Sequence, residues 1–369
     1  MRVLITGGAG FIGSHTTDLL LEKGFDVRVL DNLLPQIHPN GVPTYLSKKA
    51  EFVNGDVSRQ DTWVNALKDV DVIIHLASLT GIAQSMYEIS NYISANTIGT
   101  ANMYQTILKN QNLKSQIKKI VIASSKTIYG EGSYFCKDHG VFYPSMRTIE
   151  LLKSKKWDPA CPQGCEASPI SISENKPADP RSIYALTKAD VEKMANYFSI
   201  LGIPTVVYRY FSVFGPRQSL SNPYSGVCSI FISRIKNGQQ PIIFEDGNQV
   251  RDFVYVKDVA EANLLAIEKD ASGIFNIGSG TPTSIHTMAQ LVARKLDSKI
   301  QSQITNEFRV GDTRSDFADI SKAKKDLGFK PKWNVDQGLE KLIEWSETEK
   351  PKDLFDQTTK ERNAYFGGV

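Results

Sequence analysis

A doubly wound α/β fold, with a parallel sheet covered by helices on both faces and a smaller C-terminal α+β lobe, is what this sequence predicts. Three observations carry it. Short runs rich in Val and Ile alternate with helix-length amphipathic stretches, a glycine-rich turn follows the first run, and beyond residue 210 the texture changes to loops rich in Gly, Pro and Asn. Such alternation marks βαβ units, whose crossover helices bury both faces of a parallel sheet. Right-handed crossovers then set ligands at the carboxyl ends of the strands.

The strand runs are "RVLIT", "DVRVL", "EFVNG", "DVIIHLA", "KKIVIASS" and "PTVVYRYF". Helices are expected at 90–110 and 182–201, where the apolar residues (Ile93, Ile98, Met103, Ile107; Ile183, Leu186, Met194, Phe198) spread around more than one face. One face serves the sheet; the other serves either the rest of the chain or a second subunit. Residues 1–210 read as a dinucleotide-binding domain, and 211–350, with helices near 256–269 and 284–297, as a partly interleaved substrate lobe. The span 131–178 has little periodicity, many Ser and Pro and three cysteines, so it reads as an insertion; 351–369 reads as a loosely held tail.

Bulk properties exclude several classes. A chain of 369 residues with 41% hydrophobic and 22% charged residues is long enough for one large core plus a lobe. Its net charge of +3 gives no case for nucleic acid or a membrane surface as partner. No apolar run approaches the roughly 18 residues of a membrane helix. The first strand begins at residue 2, so no signal peptide is expected, and four cysteines are too few for a disulfide scaffold. A reducing cytoplasm is the expected location.

"ITGGAGFIGSH" sets Gly7, Gly10 and Gly13, with Phe11 and Ile12 between them, directly after the first strand and at the start of a helix. Glycines there permit a tight turn and close backbone approach to a diphosphate, and the helix amino terminus favours the anion. Asp31, followed by Asn32, ends the second strand, where a carboxylate accepts from an adenosine ribose and repels the extra phosphate of NADP. NAD and a Rossmann domain are therefore expected. Asp56 and Val57 of "GDV" fall where the adenine would lie, and Leu76 and Ala77 of "HLA" toward the ribose.

"YALTK" places Tyr184 and Lys188 four residues apart, on one face of a helix. A phenol with an ordinary pKa near 10 needs neighbouring positive charge to act as a base at neutral pH, and Lys188 supplies one. Ser125, at the end of its strand in "ASSKTIYG", is placed to share the hydrogen bond to a reacting hydroxyl.

Together "TGGAGFIG", "ASSKTIYG", "YALTK", "RYFSVFGPRQ", "RDFVYVKDVA" and "FNIGSG" resemble, in order, an extended short-chain dehydrogenase/reductase acting on nucleotide sugars. The resemblance implies Ser125, Tyr184 and Lys188 as the catalytic set. It also implies Arg251 and Arg309 as clamps on the sugar-nucleotide diphosphate, and Asp312 near the nucleoside ribose. Planar guanidinium forks suit phosphate oxygens. One departure is Ser212, where the family usually carries Asn.

Dehydrating members of that family carry an Asp-Glu pair immediately after the hydroxyl residue; here Lys126 and Thr127 stand there, and neither suits elimination of water. The resemblance thus implies a 4-epimerase, with a 4,6-dehydratase, a 4-keto-sugar reductase and a non-catalytic NAD-binding regulatory module as competitors. Lys126 is read as a spectator turned away from the sugar. Loops such as "AQSMYEI", "YGEG" and "RQSLSNPYSGV" are similar to those of bacterial dTDP-L-rhamnose 4-epimerases, which implies Gln84 and Ser85 as pocket residues. A homodimer through the helices at 90–110 and 182–201 is expected.

The insertion holds "CKDHG" and "CPQGC". Cys136, His139, Cys161 and Cys165 have spacings that close a tetrahedral structural zinc site; the competing reading is free thiols in a flexible loop.

Overall fold

The structure, a computed structural model, describes residues 1–366. Seven parallel strands form the main sheet: β1 (Arg2–Thr6), β2 (Asp26–Asp31), β3 (Glu51–Asn54), β4 (Val72–His75), β5 (Lys119–Ser125), β6 (Thr205–Tyr210) and β7 (Gly273–Ile277), in the order β7-β6-β5-β4-β1-β2-β3. Six of these are the expected runs. The seventh, "GIFNI", is short and lies among glycine-rich loops, so its pattern did not stand out in the sequence. The order reverses between β1 and β4, and a ligand crevice opens at such a switch point.

Side chains alternate across each strand, so Val3 and Ile5 join the apolar layer on one face while Leu4 joins the layer on the other. Helix α1 (Phe11–Glu22) packs against a later helix, Val256–Glu268, on the first face; Gly99–Lys109 (α2) and Ile183–Ile200 (α3) cover the second. Every residue of β5 and β6 is buried. The charged groups this buries are satisfied: Lys119 donates to the Lys269 and Ala271 carbonyls, and Arg209 is paired. Glu192 of α3 takes two hydrogen bonds from Arg209 of β6, at 2.9 and 2.7 Å, and one from the Ser124 hydroxyl at 2.5 Å.

The lobe is organised on the strand Val250–Tyr255, which pairs with Ser212–Phe214, Pro282–Ser284 and Ser315–Asp316 and packs on a core that includes Phe214, Phe231, Met288 and Leu342. Its register sets Arg251 beside Asp316. Asp252, fully buried, accepts hydrogen bonds from the amides of Ser279, Gly280 and Ala318 and so gathers two loops behind the strand. In the insertion, Ser133–Cys136 pairs antiparallel with Gly140–Phe142 and with Ser168–Ile170. Residues 351–366 depart from the loose tail expected of them. A helix, Phe355–Phe366, is held by the Arg234 guanidinium over the Phe355 ring at 4.6 Å, by the Arg234–Asp353 pair at 3.2 Å and by the Tyr224–Glu361 hydrogen bond at 3.1 Å. Among the described residues no helix is long and apolar enough to cross a membrane.

Removing one partner of a buried pair strands the other charge in the core. Glu192→Ala is therefore expected to lower the unfolding free energy by about 3 to 5 kcal/mol, read as a fall in the denaturant midpoint; an unchanged midpoint would show that Arg209 finds another partner.

Candidate active site

A single cavity of about 1050 Å³ runs from the first βα turn, past the carboxyl end of β5, to the lobe. At one end lie Gly7, Gly10, Phe11, Ile12 and Gly13, then Asp31, Asn32, Asp56 and Val57, with Leu76 and Ala77 after β4, so every residue expected to hold NAD lines one wall. Gly7 has φ +66°, and a Cβ there would lie 2.8 Å from the Ala77 amide nitrogen, so only glycine allows the turn to close against the neighbouring strand. The Asp31 carboxylate is fixed by the amides of Ala9 at 3.1 Å and Leu33 at 2.9 Å, which leaves lone pairs to accept from a diol. Asn32 donates to Asp56 at 3.1 Å. Helix amides, a glycine cradle and a fixed acceptor fit a dinucleotide.

At the centre of the cavity Ser125, Tyr184 and Lys188 come together. Strand β5 ends at Ser125, whose hydroxyl oxygen accepts from the Thr127 amide at 3.2 Å and the Thr127 hydroxyl at 3.0 Å. With both acceptor positions filled, Ser125 has only its own proton to offer, toward the phenol or a substrate oxygen. Burial, opposed in part by the hydrogen bond with Ser125, raises the Tyr184 phenol to about 12. The Lys188 ammonium lies 5.9 Å from the centre of the Tyr184 ring and donates to the Ala123 carbonyl at 2.8 Å. Burial holds its pKa down to about 8, opposed by the nearby Glu192 carboxylate.

Gln84 and Ser85 take a different place from the one expected. Neither lines the cavity; Ser85 is fully buried and accepts the Tyr184 amide at 3.0 Å. A serine that bonds the backbone of Tyr184 positions that residue, and no spacing in the sequence links residues 99 positions apart. Asn96 does similar work: it accepts from the Leu79 amide at 2.8 Å and donates to Thr187 at 3.0 Å, tying the loop after β4 to α3. It sits in a stretch of π-helix, Ile93–Ile98, a feature frequent at functional sites.

Arg251, Arg309 and Asp312 line the lobe side. Arg309 is paired with Asp312 at 2.8 Å and stacked over Phe244 at 4.4 Å, while Arg251 donates to the Thr313 carbonyl at 2.7 Å and lies 3.3 Å from Asp316. The other oxygen of Asp316 holds the Lys126 ammonium at 2.5 Å. Lys126 is thus more than the spectator expected from sequence: it joins the carboxylate that orients Arg251. The helix Phe355–Phe366 contributes Phe355, Thr358 and Thr359 to the wall. Cys136, His139, Cys161 and Cys165 gather elsewhere, outside the cavity.

The unfolded chain holds the Lys188 proton up to its ordinary pKa of 10.5, whereas the folded chain releases it near 8. The buried charge therefore costs stability at neutral pH, and that cost fades as pH rises from about 8 to 10.5. Lys188→Met is expected to raise unfolding free energy at pH 7 by about 1 to 3 kcal/mol, a gain that shrinks through that window; a pH-independent difference would refute the assignment.

Comparison with known proteins places this geometry. The model of the NAD dependent epimerase/dehydratase family matches residues 3–146 and 159–278. A dTDP-L-rhamnose 4-epimerase of Burkholderia thailandensis is 37% identical over 351 residues, 93% of this chain and 94% of its own, and a putative UDP-glucose 4-epimerase of Methanocaldococcus jannaschii is 35% identical over 347 residues, 93% of this chain and 97% of its own. Among solved structures, a UDP-glucose 4-epimerase of Thermotoga maritima with UDP-glucose superposes with a TM-score of 0.77 at 30% identity, covering 94% of this chain and 99% of that one. A UDP-glucose 4-epimerase of Thermus thermophilus in complex with NAD does so at 0.75 and 28%, covering 95% and 100%. With its glycine cradle, fixed ribose acceptor and Ser-Tyr-Lys set in one cavity, the chain belongs to the NAD dependent epimerase/dehydratase family.

Proposed function

We propose that this protein is an NAD-dependent nucleotide-sugar 4-epimerase that inverts C4 of an NDP-hexose through a 4-keto intermediate, interconverting dTDP-L-rhamnose and dTDP-6-deoxy-L-talose. The observation that carries the reaction is at the end of β5. Ser125, Tyr184 and Lys188 face one cavity, while the two positions that an eliminating enzyme needs for acid and base are tied off, Lys126 in its pair with Asp316 and Thr127 in its bond to Ser125. The choice of sugar rests on the likeness to the Burkholderia enzyme over 93% of the chain.

When bound, NAD supplies the reversible redox couple at C4. Tyr184 takes the C4 hydroxyl proton and later returns it, so no water is lost and the product keeps every atom of the substrate. Ser125 keeps its proton and donates a hydrogen bond to the same oxygen, and Lys188 favours the phenolate through its positive charge. Arg251 and Arg309 hold the diphosphate, which leaves the hexose free to turn and present its other face.

Incubation with a panel of dTDP- and UDP-hexoses, followed by NMR of the products, tests this directly. Inversion at C4 is expected, fastest with dTDP-L-rhamnose. A 4-keto-6-deoxy product would make the protein a dehydratase, and consumption of added reduced cofactor a reductase. Tight NAD binding without turnover would make it a regulatory module. Tyr184→Phe is expected to lower kcat by about 10² to 10⁴-fold with bound NAD unchanged.

The working form we propose is a homodimer. Ile98 and Leu186, on adjacent elements that pack together, remain 45% and 43% exposed, and Tyr197 on the same helix as Leu186 is 66% exposed. Covering such apolar side chains favours association. Leu186→Asp should halve the particle mass measured by light scattering; a monomeric parent protein would discard the dimer.

A further inference from the structure

Four soft or borderline ligands outside the cavity converge from two separate segments of the insertion. Cys136 ends the strand Ser133–Cys136 and His139 lies in the hairpin turn that follows, where Cys136 is in register with Gly140. Cys161 and Cys165 bracket a second tight turn, closed by the Cys161 amide to the Cys165 carbonyl at 3.1 Å and the Gly164 amide to the Cys161 carbonyl at 2.7 Å. The two turns meet. His139 Nδ1 lies 3.5 Å from Cys136 Sγ and 3.3 Å from Cys161 Sγ, and one donor atom each of Cys136, His139 and Cys165 all fall within 4.8 Å of one another.

A tetrahedral zinc ion with ordinary Zn–S and Zn–N bonds sets sulfur and nitrogen edges at about 3.5 Å and sulfur–sulfur edges at about 3.8 Å. The His139 distances match the first edge without any movement of the chain. None of the three thiols is in a disulfide, and Cys136 and Cys161 are 1% and 3% exposed. We propose that Cys136, His139, Cys161 and Cys165 bind one structural zinc ion per chain. With four protein ligands the coordination is closed, so the ion has no place for substrate.

The need for such a staple is visible in the packing. Phe135, Val141 and Tyr143 of the insertion are 45%, 55% and 45% exposed, and its buried large apolar side chains are few, chiefly Tyr134, Leu152 and Trp157. Small units with little core are held by metals or disulfides. The staple also has a mechanical consequence. Between the two ligand pairs, Arg147 donates to the Trp157 carbonyl at 3.0 Å and the Asp312 carbonyl at 2.7 Å, and Asp158 holds Arg314 at 2.7 Å. The insertion therefore grips the loop 309–314 at Asp312 and Arg314, and that loop carries Arg309 at the cavity. Resting on the reading of Arg309 as a diphosphate clamp, loss of the metal loosens nucleotide-sugar binding and leaves the NAD end untouched.

The test uses the full chain, expressed with zinc and purified without chelator. Elemental analysis is expected to find about one zinc per chain, and replacement by cobalt should give the visible bands and thiolate charge-transfer absorption of a tetrahedral thiolate site. Cys161→Ser and Cys165→Ser should lose most of the metal, while Cys228→Ser, in the lobe core, keeps it. If the serine variants do not fold, titration of the parent protein with a mercurial should release zinc in step with thiol loss. Metal-free protein with no cobalt spectrum, or a Cys161–Cys165 disulfide found by non-reducing mass spectrometry, would overturn the site. Stripped protein should show a severalfold higher KM for the nucleotide sugar with unchanged NAD affinity. Stoichiometric zinc without that rise keeps the site and removes only its link to Arg309.

Discussion

Two side chains one helical turn apart pin α3 to the middle of the sheet, and the chemistry depends on that pinning. Lys188 reaches the Ala123 carbonyl and Glu192 reaches Ser124 and Arg209, so the helix is fixed against both β5 and β6. Neither bond is cheap to make inside a protein, because each brings a charge out of water. What the arrangement secures is position: the phenol of Tyr184 is held one turn earlier on the same helix, facing the strand end that carries Ser125. Ser85 fixes the amide of Tyr184 from the other side. The Tyr184 phenol is thus placed by contacts from segments distant in sequence.

Charge in the lobe is organised differently. Lys126, Asp316 and Arg251 form a short chain in which one carboxylate serves two cations, and Arg309 is matched by Asp312. Each guanidinium beside the cavity thus already has a carboxylate partner, and its planar fork of donors can serve a second acceptor at once. The lysine after Ser125 belongs to this network, its ammonium held by the Asp316 carboxylate.

Much of this was legible in the sequence because it rests on local rules. Gly7, Gly10 and Gly13 with Asp31 announce a dinucleotide cradle, and the spacing of Tyr184 and Lys188 announces a shared helix face. Six strands of the main sheet show as short runs with Val or Ile, most of them buried as parallel strands covered on both faces are. What stayed hidden depends on contacts between remote residues. Ser85 meets the Tyr184 amide across 99 positions and Lys126 meets Asp316 across 190, so neither role has a local signature. β7 was missed because five residues between glycine-rich loops carry too little pattern. The helix at 355–366 is polar around most of its surface, and its order comes from Arg234 and Tyr224 rather than from its own composition.

The cavity is walled by parts of different origin: a rigid strand end and helix on one side, and on the other Met146 and Ile149 of the insertion and Thr358 of the last helix. Those outer parts stand apart from β5 and α3, which carry Ser125, Tyr184 and Lys188. Changes confined to those outer parts would reshape the cavity wall while leaving the Ser125 hydroxyl, the Tyr184 phenol and the Lys188 ammonium where the sheet and α3 hold them.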